Sequence, residues 1–281
     1  FLACLNAFTG STFDTITKYS SINNYKWYHY YSIGGTVAIC TLIIFLLFQG
    51  SVKNHILLNK KEYYFLPVLR GVHFIAVLII IFYSLKYIPI NIFTTLLMTT
   101  PFFLVIFAKL ILKEKLNFIS WIAIIIGFCG VLIVLQPNTS NINFYILLIF
   151  FVAISNALSF TLVSKYSHIA STYGFTFYGY FPLILFSYIF FFNDPISPSR
   201  NEFFLFASSG VIVMISMWAF NAAFHVAGKY SSIISPFFFT QIIWGTLYGV
   251  IFFSEKIYST TIVGIIIIVI SGTIAIYNRN K

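Results

Sequence analysis

The chain has 281 residues, of which 60% are hydrophobic, 21% aromatic and only 8% charged, with a formal net charge of +10. Soluble domains carry about 25% charge, so this composition excludes an ordinary soluble globular domain and implies an all-α membrane protein. The 16 Lys and Arg residues sit at the ends of apolar runs and form no basic stripe, so a lipid bilayer, and no nucleic acid, is the expected partner.

A bilayer core about 30 Å thick takes roughly 20 helical residues to cross. Dividing the apolar runs by that length predicts ten spans, near 1–21, 30–50, 66–85, 88–110, 117–136, 142–164, 172–193, 203–226, 230–253 and 258–277. The chain begins at Phe1, not Met, which reads as a few N-terminal residues missing, and no cleavable signal peptide is visible there. Cys4, Cys40 and Cys129 lie in apolar runs without a pairing pattern, so they read as small core residues and neither disulfides nor metal ligands.

The segment from Pro89 to Pro137 organises the rest. Nothing charged occurs from Tyr87 to Ala108, then Lys109, Lys113, Glu114 and Lys115 crowd together, and no charge follows until Lys165. The second apolar run is about twice a span and breaks at Gln136-Pro137-Asn138-Thr139-Ser140-Asn141, a cluster of turn formers.

With the N-terminus in the cytoplasm, eleven cations fall inside: Lys53, Lys60, Lys61, Arg70, Lys109, Lys113, Lys115, Lys165, Lys256, Arg279 and Lys281. Five fall outside: Lys18, Lys26, Lys86, Arg200 and Lys229. That bias predicts both termini inside.

The halves also resemble each other. Thr99–Val134 aligns without a gap to Thr240–Ala275, bringing Glu114-Lys115 onto Glu255-Lys256 at an offset of 141. Lys18-Tyr19-Ser20 pairs with Lys165-Tyr166-Ser167 at an offset of 147. Spans 1–5 therefore read as a repeat of spans 6–10, with boundaries at 1–137 and 138–281. Five is odd, so the second copy enters the membrane inverted, and a working site is expected between the copies.

Several features together resemble the drug/metabolite transporter superfamily and its EamA-type ten-helix carriers. They are Arg70-Gly71, Tyr83-x-x-x-Tyr87-Ile88-Pro89, Pro101, Leu112-x-Glu114-Lys115-Leu116 with Trp121, Gly127-x-x-Gly130 and the Glu255-Lys256 turn. Asp14-x-x-x-Lys18-Tyr19 and the Gln136-Pro137-Asn138-Thr139 turn also resemble the S-adenosylmethionine uptake carriers of that group. The resemblance implies a secondary transporter of the bacterial inner membrane, moving an amino acid, vitamin, nucleoside-like or drug-like solute by alternating access. Thr9-Gly10-Ser11-Thr12 replaces the Trp-Gly pair usual in span 1, and Pro236 is offset from the position matching Pro101.

Charge inside hydrocarbon is costly, so each instance requires a reason. Asp14 is read as a proton or cationic-substrate site, or else as a structural partner of Lys18 one turn on. Trp218, Asn221 and His225 share a helical face, as do Asn156 with Ser159 and Gln241 with Trp244 and Tyr248. These residues are the substrate-binding candidates, with interhelical hydrogen bonding as the alternative. His73 lies between a cavity role and the cytoplasmic interface. Glu114 and Glu255 read as loop anchors, and Pro101, Pro182 and Pro236 as kinks with a gating role or a static one.

Gly245-x-x-x-Gly249 is either internal packing or a homodimer face. No metal spacing, nucleotide-binding loop, cofactor motif or nucleophile motif is present, so an enzyme is not expected. A membrane scaffold or a membrane-embedded enzyme remains the alternative to a transporter.

Overall fold

A computed structural model describes residues 1–50, 52–58, 60–113, 118–135, 143–166, 168–227 and 239–279. The helices among them are α1 (Leu2–Ile22), α2 (Trp27–Phe48), α3 (Val52–Ile56), α4 (Phe65–Tyr87), α5 (Ile90–Leu97) and α6 (Thr100–Leu112). They continue with α7 (Phe118–Leu135), α8 (Phe144–Lys165), α9 (Thr172–Asn193), α10 (Arg200–Ala227), α11 (Thr240–Phe253) and α12 (Ser259–Arg279). No strand occurs among the described residues.

Six helical stretches are long and apolar enough to cross a membrane: Trp27–Phe48, Lys61–Tyr87, Ile90–Leu112, Phe144–Lys165, Tyr173–Asn193 and Arg200–Phe220. Trp121–Leu135, Thr240–Phe253 and Ser259–Ile274 are apolar but shorter. Large apolar side chains such as Leu47, Phe151, Phe192 and Ile251 point outward, an arrangement that suits lipid rather than water as the surrounding medium.

The fourth predicted span is divided in two. Thr99 N donates to Leu96 O at 3.0 Å, closing α5, and its Oγ1 donates to the same carbonyl at 2.7 Å. Pro101 then occupies the first turn of α6, where a missing N–H costs nothing and a fixed φ favours helix. The interruption therefore precedes the proline. Pro182, by contrast, lies inside α9, while Glu114, Pro236 and the turn at 136–141 lie outside the described residues.

The chain forms two compact units. Unit 1 comprises Phe1–Thr15, Tyr87–Lys165 and Ala219–Lys281. In it α7 packs on α12 through glycines. A Cβ on Gly130 would lie 3.0 Å from Ile267 Cγ2 and 3.1 Å from Gly264 O, and one on Gly264 would lie 2.7 Å from Gly130 O. The missing side chains let the two backbones touch.

Gly245 and Gly249 play the same part between α11 and α5. A Cβ there would strike the Thr94 side chain and, one turn on, Ile90 Cγ2 and the Glu255 carboxylate. The small-residue motif is thus internal packing. Glu255 anchors this corner, since Ile90 N donates to its Oε1 at 2.8 Å and its Oε2 at 2.9 Å, and a carboxylate suits the positive end of a helix. The residues that end α6 and α11, Lys113 (φ 59°) and Ser254 (φ 53°), are both left-handed. Their N–H groups reach back to Ala108 O and Gly249 O, so both pairs are related by the 141-residue offset read from the sequence.

Unit 2 comprises Ile16–Lys86 and Tyr166–Trp218. α2 meets α10 at Gly34 and Gly210, and meets α9 at Gly35 and Ile184. α4 meets α9 at Gly71, whose absent Cβ would overlap Tyr178 O and lie 2.8 Å from Pro182 Cγ. The short α3 docks on the start of α9, where Tyr178 OH donates to Ile56 O at 2.7 Å and His55 Nδ1 lies 3.2 Å from Ser171 Oγ.

At the far end of α9 a polar clasp forms. Lys26 Nζ and Tyr28 OH each donate to Asp194 Oδ2 at 2.7 Å, and His29 Nε2 lies 2.9 Å from Asp194 O. The Lys26 ammonium and the Tyr28 hydroxyl hold the Asp194 carboxyl below the usual carboxylate range, and Asp194 in turn pushes Lys26 up. Asp194 thus stabilises the fold above the unfolded carboxylate pKa of about 4, and this is lost as pH falls through its lower folded value. Lys26 contributes in full below its unfolded pKa of about 10.4, and this is lost as pH rises through its raised one.

Both side chains are about half exposed, so the effect is small. Asp194→Asn should lower the melting temperature by a few degrees at most between these limits and flatten its acid limb. Melting curves from pH 3 to pH 7 check this.

Candidate functional site

A group of polar residues in unit 1 is made by α1 and α11. On α1, Phe8, Ser11, Thr12 and Thr15 recur at helical spacing, with Asp14 beside Ser11; on α11, Gln241, Trp244, Gly245 and Tyr248 form one face. Gln241 Nε2 donates to Asp14 Oδ2 at 3.1 Å, and Ser11 Oγ donates to Gln241 O at 2.9 Å. One turn along, Thr12 Oγ1 and Tyr248 OH are 3.1 Å apart.

Rings complete the wall. Phe8 meets Trp244 edge-on with centroids 5.0 Å apart, and both lie 6.3 Å from Tyr248. Phe8 keeps 40% of its surface exposed, whereas Asp14 keeps 7%.

An ionised carboxylate offers about four acceptor sites. Among the described contacts, the Gln241 amide donates to Asp14. The neighbouring hydroxyls do not compete for it, because Thr15 donates to Ser11 O at 2.7 Å and Ser11 to Gln241 O. A buried carboxylate with acceptor sites left over, next to aromatic faces, can take a proton or a cationic group and stack a planar one.

The structure therefore brings together Asp14, Gln241, Trp244 and Tyr248, and adds Phe8, Ser11 and Thr12. These additions carried a visible signal, the hydroxyl-rich Thr9-Gly10-Ser11-Thr12. Asn156 and Ser159 are half-buried on α8 and share a face, but no described contact ties them to this group. Trp218 belongs to unit 2 and is 40% exposed. Asn221 and His225 lie on α10 with their side chains outside the described set. His73, on α4, has its Nε2 buried. Among the described residues no cluster of His, Cys, Asp and Glu could hold a metal ion.

Comparison with known proteins agrees with this architecture. Residues 1–136 match the EamA-like transporter family. The chain is 25% identical over 243 residues to an S-adenosylmethionine uptake transporter of Rickettsia prowazekii, covering 85% of this chain and 79% of that one. It is 25% identical over 236 residues to the pseudopaline exporter CntI of Pseudomonas aeruginosa, covering 83% and 81%. A riboflavin transporter of Vibrio cholerae is 30% identical over 143 residues, half of this chain and 47% of its own length. One solved crystal structure superposes with a TM-score of 0.68 at 15% identity, covering 97% of this chain and 96% of the other.

Proposed function

We propose that this chain, whose residues 1–136 are an EamA-family domain of the drug/metabolite transporter superfamily, is a secondary active carrier that moves a small organic metabolite by alternating access. The observation that carries the reading is the buried Asp14 carboxylate, held by Gln241 beside the Phe8, Trp244 and Tyr248 rings. A helix pair needing only to pack has no use for a desolvated acid with acceptor sites left over.

The carrier has ten spans in two inverted five-helix repeats, 1–137 and 138–281. Two features support the repeat: the 141-residue sequence register, and the left-handed corners at Lys113 and Ser254 that obey it. It resides in a bacterial inner membrane with both termini in the cytoplasm, as the cation distribution favours.

The α1–α11 group suits a solute with a cationic or amine-bearing centre and a planar ring. S-adenosylmethionine has both, and an uptake transporter for it is among the similar proteins. Transport is coupled to a proton or to exchange. The test is uptake of radiolabelled S-adenosylmethionine, amino acids and riboflavin by liposomes containing the purified chain. Accumulation above empty liposomes is expected for at least one solute class; none for any class overturns the reading. A melting-temperature screen of the same solutes ranks them, since a ligand bound to the folded state stabilises it.

A further inference from the structure

We propose that unit 2 holds a second binding site, an oxyanion site formed by Arg70, His73 and Tyr180 where α4 crosses α9, and that it takes the carboxylate of a small solute. The crossing brings these residues together. Gly71 lies on Tyr178 O and Pro182, and Phe74 meets Tyr180 edge-on with centroids 5.1 Å apart. Residues 70–74 of α4 therefore face 178–182 of α9. Arg70 and His73 are neighbours one turn apart, and the Arg70 guanidinium lies 5.8 Å from the Phe175 ring centroid, also on α9. The charge of Arg70 acts on both the Tyr180 phenol and the His73 imidazole.

Two of the three residues carry a buried polar atom with no hydrogen-bond partner among the described residues. Tyr180 is only 3% exposed and its hydroxyl has no hydrogen-bond partner, and the buried Nε2 of His73 has none. Native interiors rarely leave such groups unmade, and each instance asks for an explanation. A phenol O–H, an imidazole nitrogen and a guanidinium fork carried by one helix crossing supply a donor set with a positive charge beside it. That set matches a planar carboxylate, which accepts two parallel N–H bonds from an arginine and further bonds at its remaining lone pairs. Neither α4 nor α9 contains an acidic residue, so neither helix supplies the anion itself.

The site stands apart from the transport reading, because its test reads binding. The full chain in detergent is melted with acetate, benzoate or inorganic phosphate, each against sodium chloride at equal ionic strength. At least one carboxylate should raise the melting temperature beyond chloride, and phosphate should raise it less. Tyr180→Phe removes only the hydroxyl. Without added anion its melting temperature should equal or exceed that of the wild type, because an unsatisfied buried group is gone. Its apparent carboxylate affinity should fall about tenfold, as expected for a hydrogen bond to a charged group.

Arg70→Lys, which keeps the charge but loses the fork, should weaken binding likewise. No carboxylate effect beyond chloride, or an unchanged affinity in Tyr180→Phe, overturns the proposal. Phosphate stabilising as strongly as the carboxylates overturns it too, by pointing to a headgroup-type anion instead.

Discussion

Asp14→Asn is expected to cut solute uptake into liposomes at least about tenfold while leaving the melting temperature close to that of the wild type. The substitution preserves size and keeps an acceptor oxygen for Gln241 Nε2, which now lies 3.1 Å from the carboxylate. The surrounding hydroxyl bonds, from Ser11 to Gln241 O and from Thr15 to Ser11 O, do not involve the acid at all. The fold therefore loses little. What disappears is the negative charge and the capacity to take a proton.

Hydrogen bonds to charged groups are worth about 1.5–3 kcal/mol, and each 1.4 kcal/mol is a factor of ten in affinity, which sets the expected loss. Uptake equal to wild type at every pH would remove Asp14 from both binding and coupling. A collapse of the melting temperature would assign it to the structure instead.

The positions of the helices were legible because hydropathy is a local property: every predicted run contains a helix, and even the split of the fourth was signalled by Pro101. The family likeness was legible too, being carried by short motifs such as Arg70-Gly71 and the Glu255-Lys256 turn. The partners were not. Asp14 meets an amide 227 positions away, a contact that spacing along one helix cannot suggest while the rest of the fold is unseen.

Asp194 escaped notice for the same reason. It sits in a loop beside Pro195, and only the packed helices put Lys26, Tyr28 and His29 around it. The Gly245-x-x-x-Gly249 motif could be recognised, but its partner could not, since small residues permit close approach without saying to what.

Gly71→Ala should destabilise the protein by about 1–3 kcal/mol, the usual cost of overpacking a tight contact, and lower its melting temperature by several degrees. The methyl group would overlap the Tyr178 carbonyl oxygen and sit 2.8 Å from Pro182 Cγ. Neither neighbour can turn aside as a flexible side chain would, because one is backbone and the other a ring fused to it. Pro182 also explains why this carbonyl faces α4: a proline inside a helix offers no N–H to the carbonyl four residues earlier, leaving Tyr178 O to the Cα of Gly71, a weak but recurrent kind of contact.

Gly179→Ala, on the same helix, is the matched control. A Cβ there meets nothing within 4 Å, and alanine is favoured over glycine in a helix by about 0.8–1 kcal/mol. Its melting temperature should hold or rise. Because Gly71 lets α4 approach α9 where Phe74 meets Tyr180, Gly71→Ala should also weaken carboxylate stabilisation, whereas Gly179→Ala should not. Equal melting temperatures for the two variants would mean that α4 and α9 yield at this crossing, and would remove the crossing as the support of the oxyanion site.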